Sequence, residues 1–191
     1  AVLCFIGAFS AFRHGARNGV LLGALGFVLG LVVVGIPASW MQAAKRLPMI
    51  HDITTDTQNP PKFVAVLPLR RNAPNTSGYG GPGVAAEQLK AYPDIRPREL
   101  NISPDRAFEK ALSAARRMGW QIIDSDQGQG RIEASATTFW FGFVDDVVIR
   151  ITSVGSGSRV DARSESRVGK SDIGANAKRI KMFLKEMQAG G

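Results

Sequence analysis

Three stretches contain residue types that could support chemistry, but none has a complete set. His51, Asp52 and Asp56 could bind a metal ion, yet one histidine and two aspartates without a second cluster fall short of the usual ligand sets. The glycine-rich residues 78–83 lack the preceding strand and the Lys-Ser/Thr pair of a phosphate-binding loop. Cys4 is the only cysteine, which excludes a disulfide framework and a cysteine-based zinc site. We therefore expect no catalytic residues, no metal and no cofactor, and a protein that is not an enzyme.

A polar cluster before the last predicted helix is a candidate anion or cap site. Its members are Arg167, Ser171, Asp172 and Asn176. Ser171 and Asp172 suit a helix N-terminus, where free N–H groups and the helix dipole favour oxygen acceptors and negative charge. The same position could bind an anion with the help of Arg167 or Lys170. Capping is the simpler interpretation, because Asp172 would itself supply the negative charge.

The element that positions the rest of the chain is residues 20–41, an uncharged apolar stretch. A bilayer core about 30 Å thick takes roughly 20 helical residues, so this stretch predicts a transmembrane helix. The apolar residues 1–12 predict the end of an earlier helix that is truncated at residue 1. Together the two segments, over residues 1–41, predict a helical hairpin in the membrane.

Four glycines are expected to form a helix-packing face on the transmembrane segment. Gly19, Gly23, Gly26 and Gly30 recur at spacings of four, three and four, which places them on one side of a helix. Small residues let helix backbones approach closely in lipid. The face could pack against another protein or against the first helix of the hairpin. Glycine is also simply common in membrane helices.

The polar part of the chain predicts a connection followed by one folded domain. Residues 42–102 are rich in proline and glycine and predict an extended connecting segment. From Ser103, a good N-cap, residues 103–191 predict the order α-β-β-β-β-α. The predicted class is α+β: an N-terminal transmembrane helical hairpin followed by a two-layer domain, in which an antiparallel β-meander of about four strands carries two helices on one face.

The second face of this sheet is predicted to be charged. We expect it to be a solvated face, with a docking face for a polar partner as the alternative. Its residues are Arg131, Glu133, Arg150, Arg159, Asp161, Arg163, Glu165 and Arg167.

Residues 139–143 are the most unusual soluble segment. Phe139, Trp140, Phe141 and Phe143 surround a glycine between two alternating strands. They could form a buried cluster beneath the hairpin, or an apolar tip that contacts a partner or a membrane. In the second case, the following Asp145 and Asp146 would be repelled by anionic lipid, which favours a protein partner.

Charge and flanking residues bear on partners and location. The net charge is +8, but charges of both signs are interleaved, which argues against nucleic acid as a partner. Arg13 and Arg17 on one side of the helix are matched by Lys45 and Arg46 on the other, so the count of basic residues does not decide the orientation. A short positive connection between two spans is nevertheless typical of a cytoplasmic loop. We therefore expect a bacterial inner-membrane protein whose C-terminal domain is periplasmic, in contact with the lipid bilayer.

Several long motifs in order carry a family resemblance. They are IHDITTDTQNPPKF, AFEKALSAARRMGWQI, TTFWFGFVDDVVIRI and SRVGKSDIGANAKRI. Over about residues 50–184 the chain resembles the family called domain of unknown function 1499. The resemblance implies apolar helices ahead of the domain and an alphaproteobacterial source, but no settled activity and no catalytic residues.

These observations favour a non-catalytic accessory or assembly subunit that docks on a larger integral-membrane protein complex, respiratory or photosynthetic. One alternative is a domain that binds or senses a small ligand or lipid at the membrane surface. Another is an unrecognised hydrolase, although two histidines offer little acid–base chemistry.

Overall fold

The computed structural model describes residue 9 and residues 17–45, 47–138 and 141–188. The chain divides into two compact units, Ala1–Leu47 and Pro48–Gly191. The division lies close to the predicted end of the membrane part. The predicted first helix of a hairpin, over residues 1–12, falls almost wholly outside the described residues.

The first unit contains one long helix, α1 (Arg17–Ala44). Within α1, Gly19–Ser39 is long and apolar enough to cross a membrane, with a mean hydropathy of 2.6, and none of its residues is buried. Gly19, Gly23, Gly26 and Gly30 are half-buried, whereas most residues between them are exposed. Because α1 is continuous through these positions, the spacings of four, three and four place the four glycines on one side of it.

The second unit is built on one antiparallel sheet. Its elements in chain order are β1 (Asp52–Thr54), a short 3₁₀ helix (Leu67–Arg70), α2 (Gly81–Ala91), β2 (Arg98–Leu100), α3 (Pro104–Arg117), β3 (Gln121–Asp126), β4 (Arg131–Thr137), β5 (Val144–Val154), β6 (Gly157–Ser166) and α4 (Ala175–Glu186). The strand order is β1-β6-β5-β4-β3, and β2 pairs with β6 beside β1. The α+β class is confirmed.

The four strands of the meander and the helices α3 and α4 lie where the sequence predicts them. Ser103 caps α3, because its Oγ accepts a hydrogen bond from the backbone N–H of Arg106 at 3.4 Å. Gly119, with a φ of +75°, adopts the left-handed conformation that follows the end of α3. Both helices contact β5 or β6. Their apolar faces bury residues such as Phe108 and Phe183 against the sheet.

The prediction that residues 42–102 form an extended connection is wrong. These residues contribute two strands and a helix to the domain, which raises the strands from about four to six and the helices in this unit from two to three among the described residues. Gln88 of α2 shows how they are held: its side-chain amide binds the N–H and C=O of Thr54 at 2.9 and 2.7 Å. That amide thereby completes the free edge of β1. The contact joins residues far apart in sequence, so local patterns could not indicate it.

Candidate functional site

The charged face of the sheet is covered, which contradicts the expected solvated face. Residues 55–79 lie across it. Of its eight predicted members, Glu133, Asp161, Arg163 and Glu165 are buried and the other four are half-buried. The covering segment has little apolar periodicity, so its position cannot be read from the sequence. The buried charges are tolerated because each finds partners of opposite sign.

Arg163 stands at the centre of this face. Its guanidinium makes a bidentate ion pair with Asp52, with Nε to Oδ1 at 2.9 Å and Nη2 to Oδ2 at 2.8 Å. It also donates to the carbonyl oxygens of Pro61 and Ser77 in the covering segment. The guanidinium carbon lies 4.9 Å from the centre of the Phe63 ring, a cation–π geometry. Arg163 therefore fastens the covering segment to the sheet.

A second group of charges is centred on Asp146. Its carboxylate accepts a bidentate pair from Arg167 at 2.8 and 2.9 Å, and a hydrogen bond from Arg70 at 2.8 Å. The Ser135 hydroxyl donates a further bond at 2.7 Å. Arg70 also lies 3.2 Å from the Glu165 carboxylate, which links this group to Arg163. The result is a continuous network of three cations and three carboxylates.

The edges of the charged face use their carboxylates in the same way. Glu133 accepts hydrogen bonds from the backbone N–H groups of Val64 and Val66 at 2.9 and 3.0 Å, which pins the covering segment at a second place. Asp161 pairs with Arg150 and Arg159 at 3.0 and 3.1 Å. These contacts occupy the carboxylates and hold structure in place.

Burial and pairing shift the acidities in this network in opposite directions. Burial, with the nearby Asp52 carboxylate, raises the pKa of Glu165 to about 8 despite its two arginine neighbours. Burial likewise raises the pKa of Asp52 above its ordinary value. Asp146 is also desolvated, but hydrogen bonds from Arg167, Ser135 and Arg70 outweigh that effect and lower its pKa. Glu165 therefore holds a proton at neutral pH more readily than an ordinary glutamate does.

The three candidate metal ligands, which the sequence indicates are insufficient for a site, have separate partners. Asp52 pairs with Arg163, and Asp56 pairs with Arg150 and Arg159. The His51 ring lies 3.5 Å from the Lys170 carbonyl oxygen. Within the described ranges, no group of three or more His, Cys, Asp or Glu side chains is arranged to hold a metal ion.

The residues of the candidate anion or cap site also have separate partners. Asp172 lies before α4 and its two carboxylate oxygens accept the N–H groups of Gly174 and Asn176 at 2.8 and 2.7 Å. Arg167 turns instead to Asp146. The Asn176 amide is buried between Ser164, Ser166 and the His51 carbonyl. Asp172 therefore acts as a cap, and its oxygens fill the place that an anion would take.

One end of the domain presents apolar side chains to solvent. Phe141 is 77 % exposed, Ile173 62 %, Phe143 51 % and Val168 38 %. All four line one groove of about 530 Å³. The rings of Phe141 and Phe143 stack with centres 5.7 Å apart. We call these four residues the apolar end surface. Phe139 and Trp140, also predicted as partner contacts, lie outside the described residues.

Ile173 is held in an unusual backbone conformation. Its φ is +51°, which a β-branched side chain rarely adopts. Gly174 follows with a φ of +79°, and the Ile173 N–H is bound by the Ser171 hydroxyl at 3.2 Å. The Asp172 cap fixes the chain on both sides of this turn. The turn therefore combines an exposed apolar side chain with a backbone conformation that costs about 1–3 kcal/mol.

Sequence reasoning missed the burial of the charged face and the exposure of Ile173. One signal for the first was present: two acids, Asp145 and Asp146, stand within the apolar strand β5. Carboxylates in such a strand require buried partners, here Arg179 at 2.6 Å for Asp145 and the arginines described above for Asp146. No sequence signal reveals a positive φ at an isoleucine.

Comparisons with known proteins give one family and distant structural likenesses. A family model described as "Protein of unknown function (DUF1499)" matches residues 52–187. A comparison with curated proteins finds no match. The crystal structure of CalU16 from Micromonospora echinospora is similar over 49% of this chain and 74% of that one, at 12% identity and a TM-score of 0.35. The crystal structure of TTHA0849 from Thermus thermophilus is similar over 48% and 91%, at 11% identity and a TM-score of 0.30. The family match spans most of the polar part and all four meander strands, and on that ground the chain belongs to the DUF1499 family.

Proposed function

We infer that this protein is a non-catalytic, membrane-anchored accessory or assembly subunit that docks on a larger integral-membrane complex, respiratory or photosynthetic. The observation that carries the proposal is α1, whose apolar span Gly19–Ser39 has no buried residue. A helix apolar all round needs lipid or other membrane helices as its surroundings. Its half-buried glycine face supplies a surface where a second helix can approach closely.

The test is the recovery of partner proteins from detergent-solubilised membranes. Gly23→Leu with Gly26→Leu keeps α1 apolar but separates the backbones, so insertion persists and partner recovery falls. Leu22→Ala changes an exposed residue of the same helix and serves as the control. Full partner recovery with the double variant would overturn the role of the glycine face, and recovery of the chain in the soluble fraction would overturn the anchor.

The proposed location is the bacterial inner membrane, with residues 48–191 in the periplasm. A single cysteine in place of the exposed Lys185, in a Cys4→Ser background, tests the orientation. A membrane-impermeant maleimide should label it once the outer membrane alone is opened. Labelling that requires rupture of the inner membrane would reverse the orientation.

A second candidate function, small-ligand binding, is favoured by one observation on the charged face. A groove of about 460 Å³ is lined by Lys62, Phe63, Tyr79 and Arg163, among others. The Tyr79 hydroxyl is buried there without a hydrogen-bond partner among the described residues. Burial raises the pKa of Tyr79 to about 12, so the hydroxyl remains a donor at neutral pH. Native mass spectrometry should find a co-purifying small molecule that Tyr79→Phe loses, and an unliganded parent protein would exclude this function.

A further inference from the structure

The apolar end surface is formed by two chain segments that come together at one end of the sheet. Phe141 and Phe143 belong to the connection between β4 and β5, and Val168 and Ile173 belong to the connection between β6 and α4. Met49, 72 % exposed, lies beside the second segment, because the neighbouring Ile50 carbonyl accepts the Asp172 N–H at 3.3 Å. A cluster of large exposed apolar side chains of this kind marks a contact with an apolar partner.

The covalent chain enters the domain at the same end. The Ser171 hydroxyl donates to the Pro48 carbonyl at 3.4 Å, so the first residues of the domain touch the segment that carries Val168 and Ile173. Only residues 45–47 separate the end of α1 at Ala44 from Pro48. A fully extended chain covers about 14 Å over that distance. The apolar span ends at Ser39, and the helical residues from there to Ala44 add about 8 Å. The apolar span that a bilayer would hold is therefore within about 22 Å, along this tether of chain, of this end of the sheet.

The opposite end of the sheet is farther from the residues that link the domain to α1. Val154, 44 % exposed, lies at the β5–β6 hairpin, and Val144 begins β5 beside the apolar end surface. The 11 residues of β5 span about 33 Å. Val154 is thus an exposed apolar residue of the same domain that the tether does not hold near a membrane, and it provides a matched control.

The charges near the apolar end surface also permit contact with lipid. Asp145 and Asp146, which the sequence places where they would repel anionic headgroups, are buried and paired with Arg179 and with Arg70 and Arg167. Lys170 is exposed between Val168 and Ile173. Asp172 also lines the groove and is half-buried, but its two carboxylate oxygens accept backbone N–H groups. The surface therefore presents apolar side chains with an exposed cation beside them, the pattern of an interfacial anchor on anionic lipid.

We propose that Phe141, Phe143, Val168 and Ile173 insert into the interfacial region of the bilayer that anchors this protein, with Lys170 at the phosphate headgroups. The proposal rests on the membrane anchoring inferred above and adds a second contact, which fixes how the domain stands on the membrane. The occupant is phospholipid rather than a protein, because the tether brings lipid to this surface whether or not a partner is bound.

The experiment uses the full chain in phosphatidylcholine–phosphatidylglycerol vesicles with no other protein present. A single cysteine replaces Val168, or Val154 as the control, in a Cys4→Ser background, and carries an environment-sensitive fluorophore. In the first protein we expect emission at shorter wavelength and loss of intensity when the lipids carry a spin label on their acyl chains. In the second we expect neither change.

A second variant tests whether the signal comes from the apolar end surface or from the attached fluorophore itself. Phe141→Ser with Ile173→Asn, combined with the probe at residue 168, should abolish the wavelength shift and the quenching while the protein still floats with the vesicles. Equal quenching at residues 168 and 154, or quenching that the double variant retains, would overturn the proposal. A shift to shorter wavelength without quenching, which appears only after solubilised membrane proteins are added, would overturn the proposal and assign the surface to a protein partner. Failure of the chain to float would overturn the anchor, and this proposal with it.

Discussion

The charged face of the sheet and the apolar end surface are formed by neighbouring residues, yet they reverse the usual places of charged and apolar side chains. Asp146 is fully buried on the charged face, and Phe143, three residues earlier, is half in solvent. Both arrangements are costly in isolation. The charged face offsets its cost within the protein through ion pairs and backbone donors. The apolar end surface has no such compensation among the described residues and points to a contact outside the chain.

This difference separates a structural role from a docking role. Arg163 and Glu133 of the sheet bind backbone groups of the covering segment, and Arg70 of that segment pairs with Asp146 of the sheet. Removal of any of these side chains should therefore lower the stability. Ile173 lies in a strained turn with its side chain in solvent. Its replacement should therefore raise the free energy of unfolding and weaken docking. Substitutions on the charged face and at Ile173 should thus change the free energy of unfolding in opposite directions, which can be measured.

The largest effect is expected from breaking the central ion pair. Arg163→Ala leaves the buried Asp52 carboxylate without its bidentate partner and should lower the free energy of unfolding by about 3–5 kcal/mol. Arg117→Ala is the control, because Arg117 pairs with Glu186 in a pair whose side chains are 53% and 41% exposed. It should cost less than about 1 kcal/mol. Urea unfolding of the full chain in detergent, followed by near-ultraviolet circular dichroism, measures both, and equal losses would mean that the charged face is solvated after all.

The next effect is a pH dependence that originates in Glu165. The pKa of Glu165 is about 8 in the folded chain against 4.5 ordinarily, so the folded state holds an extra proton between these values. Its contribution is fully present below about pH 4.5 and is lost as the pH rises through about 8, on the order of a few kcal/mol. Glu165→Gln should reduce this slope, leaving the parts due to Asp52 and Asp172, whose pKa values burial also raises, while Glu186→Gln at an exposed pair should leave it intact. The measurement is the free energy of unfolding of each variant from pH 5 to 9. A stability that rises with pH would contradict the raised pKa of Glu165.

A smaller, local effect should follow from Glu133→Ala. The change leaves the N–H groups of Val64 and Val66 without their acceptor and should lower the free energy of unfolding by about 2 kcal/mol. Hydrogen exchange at these two amides should accelerate before that of the sheet. Glu109→Ala, at an exposed position of α3, is the control. Unchanged exchange at residues 64 and 66 would show that other contacts hold the covering segment.

The smallest change, and the one of opposite sign, is expected at Ile173. Asparagine tolerates a positive φ better than isoleucine, so Ile173→Asn should raise the free energy of unfolding by about 1 kcal/mol. Val168→Asn, on the same surface without a positive φ, should stay within about 0.5 kcal/mol of the parent. Thermal melting of both variants beside the parent gives the comparison. Destabilisation by Ile173→Asn would mean that the isoleucine side chain packs within the domain.

Part of the fold could be read from local patterns because local physics determines it. The uncharged stretch over residues 20–41 predicts α1, and the Ser103 cap with the left-handed Gly119 bounds α3. Alternating side chains place β4, β5 and β6, since the faces of a strand repeat every two residues. The helix-capping interpretation of Asp172 likewise depends on a few neighbouring residues.

What the sequence determined by itself is therefore the membrane-length helix, the meander, the bounding caps and which side chains share each face of the sheet. Only the tertiary structure decided which face meets water, because that depends on residues 55–79, whose contacts are with residues far along the chain. Alternation assigns Arg163 and Val147 to opposite faces but does not say what covers either. The covering segment turned a face of charges into a buried network, while the loops at the end of the same strands left phenylalanine and isoleucine exposed.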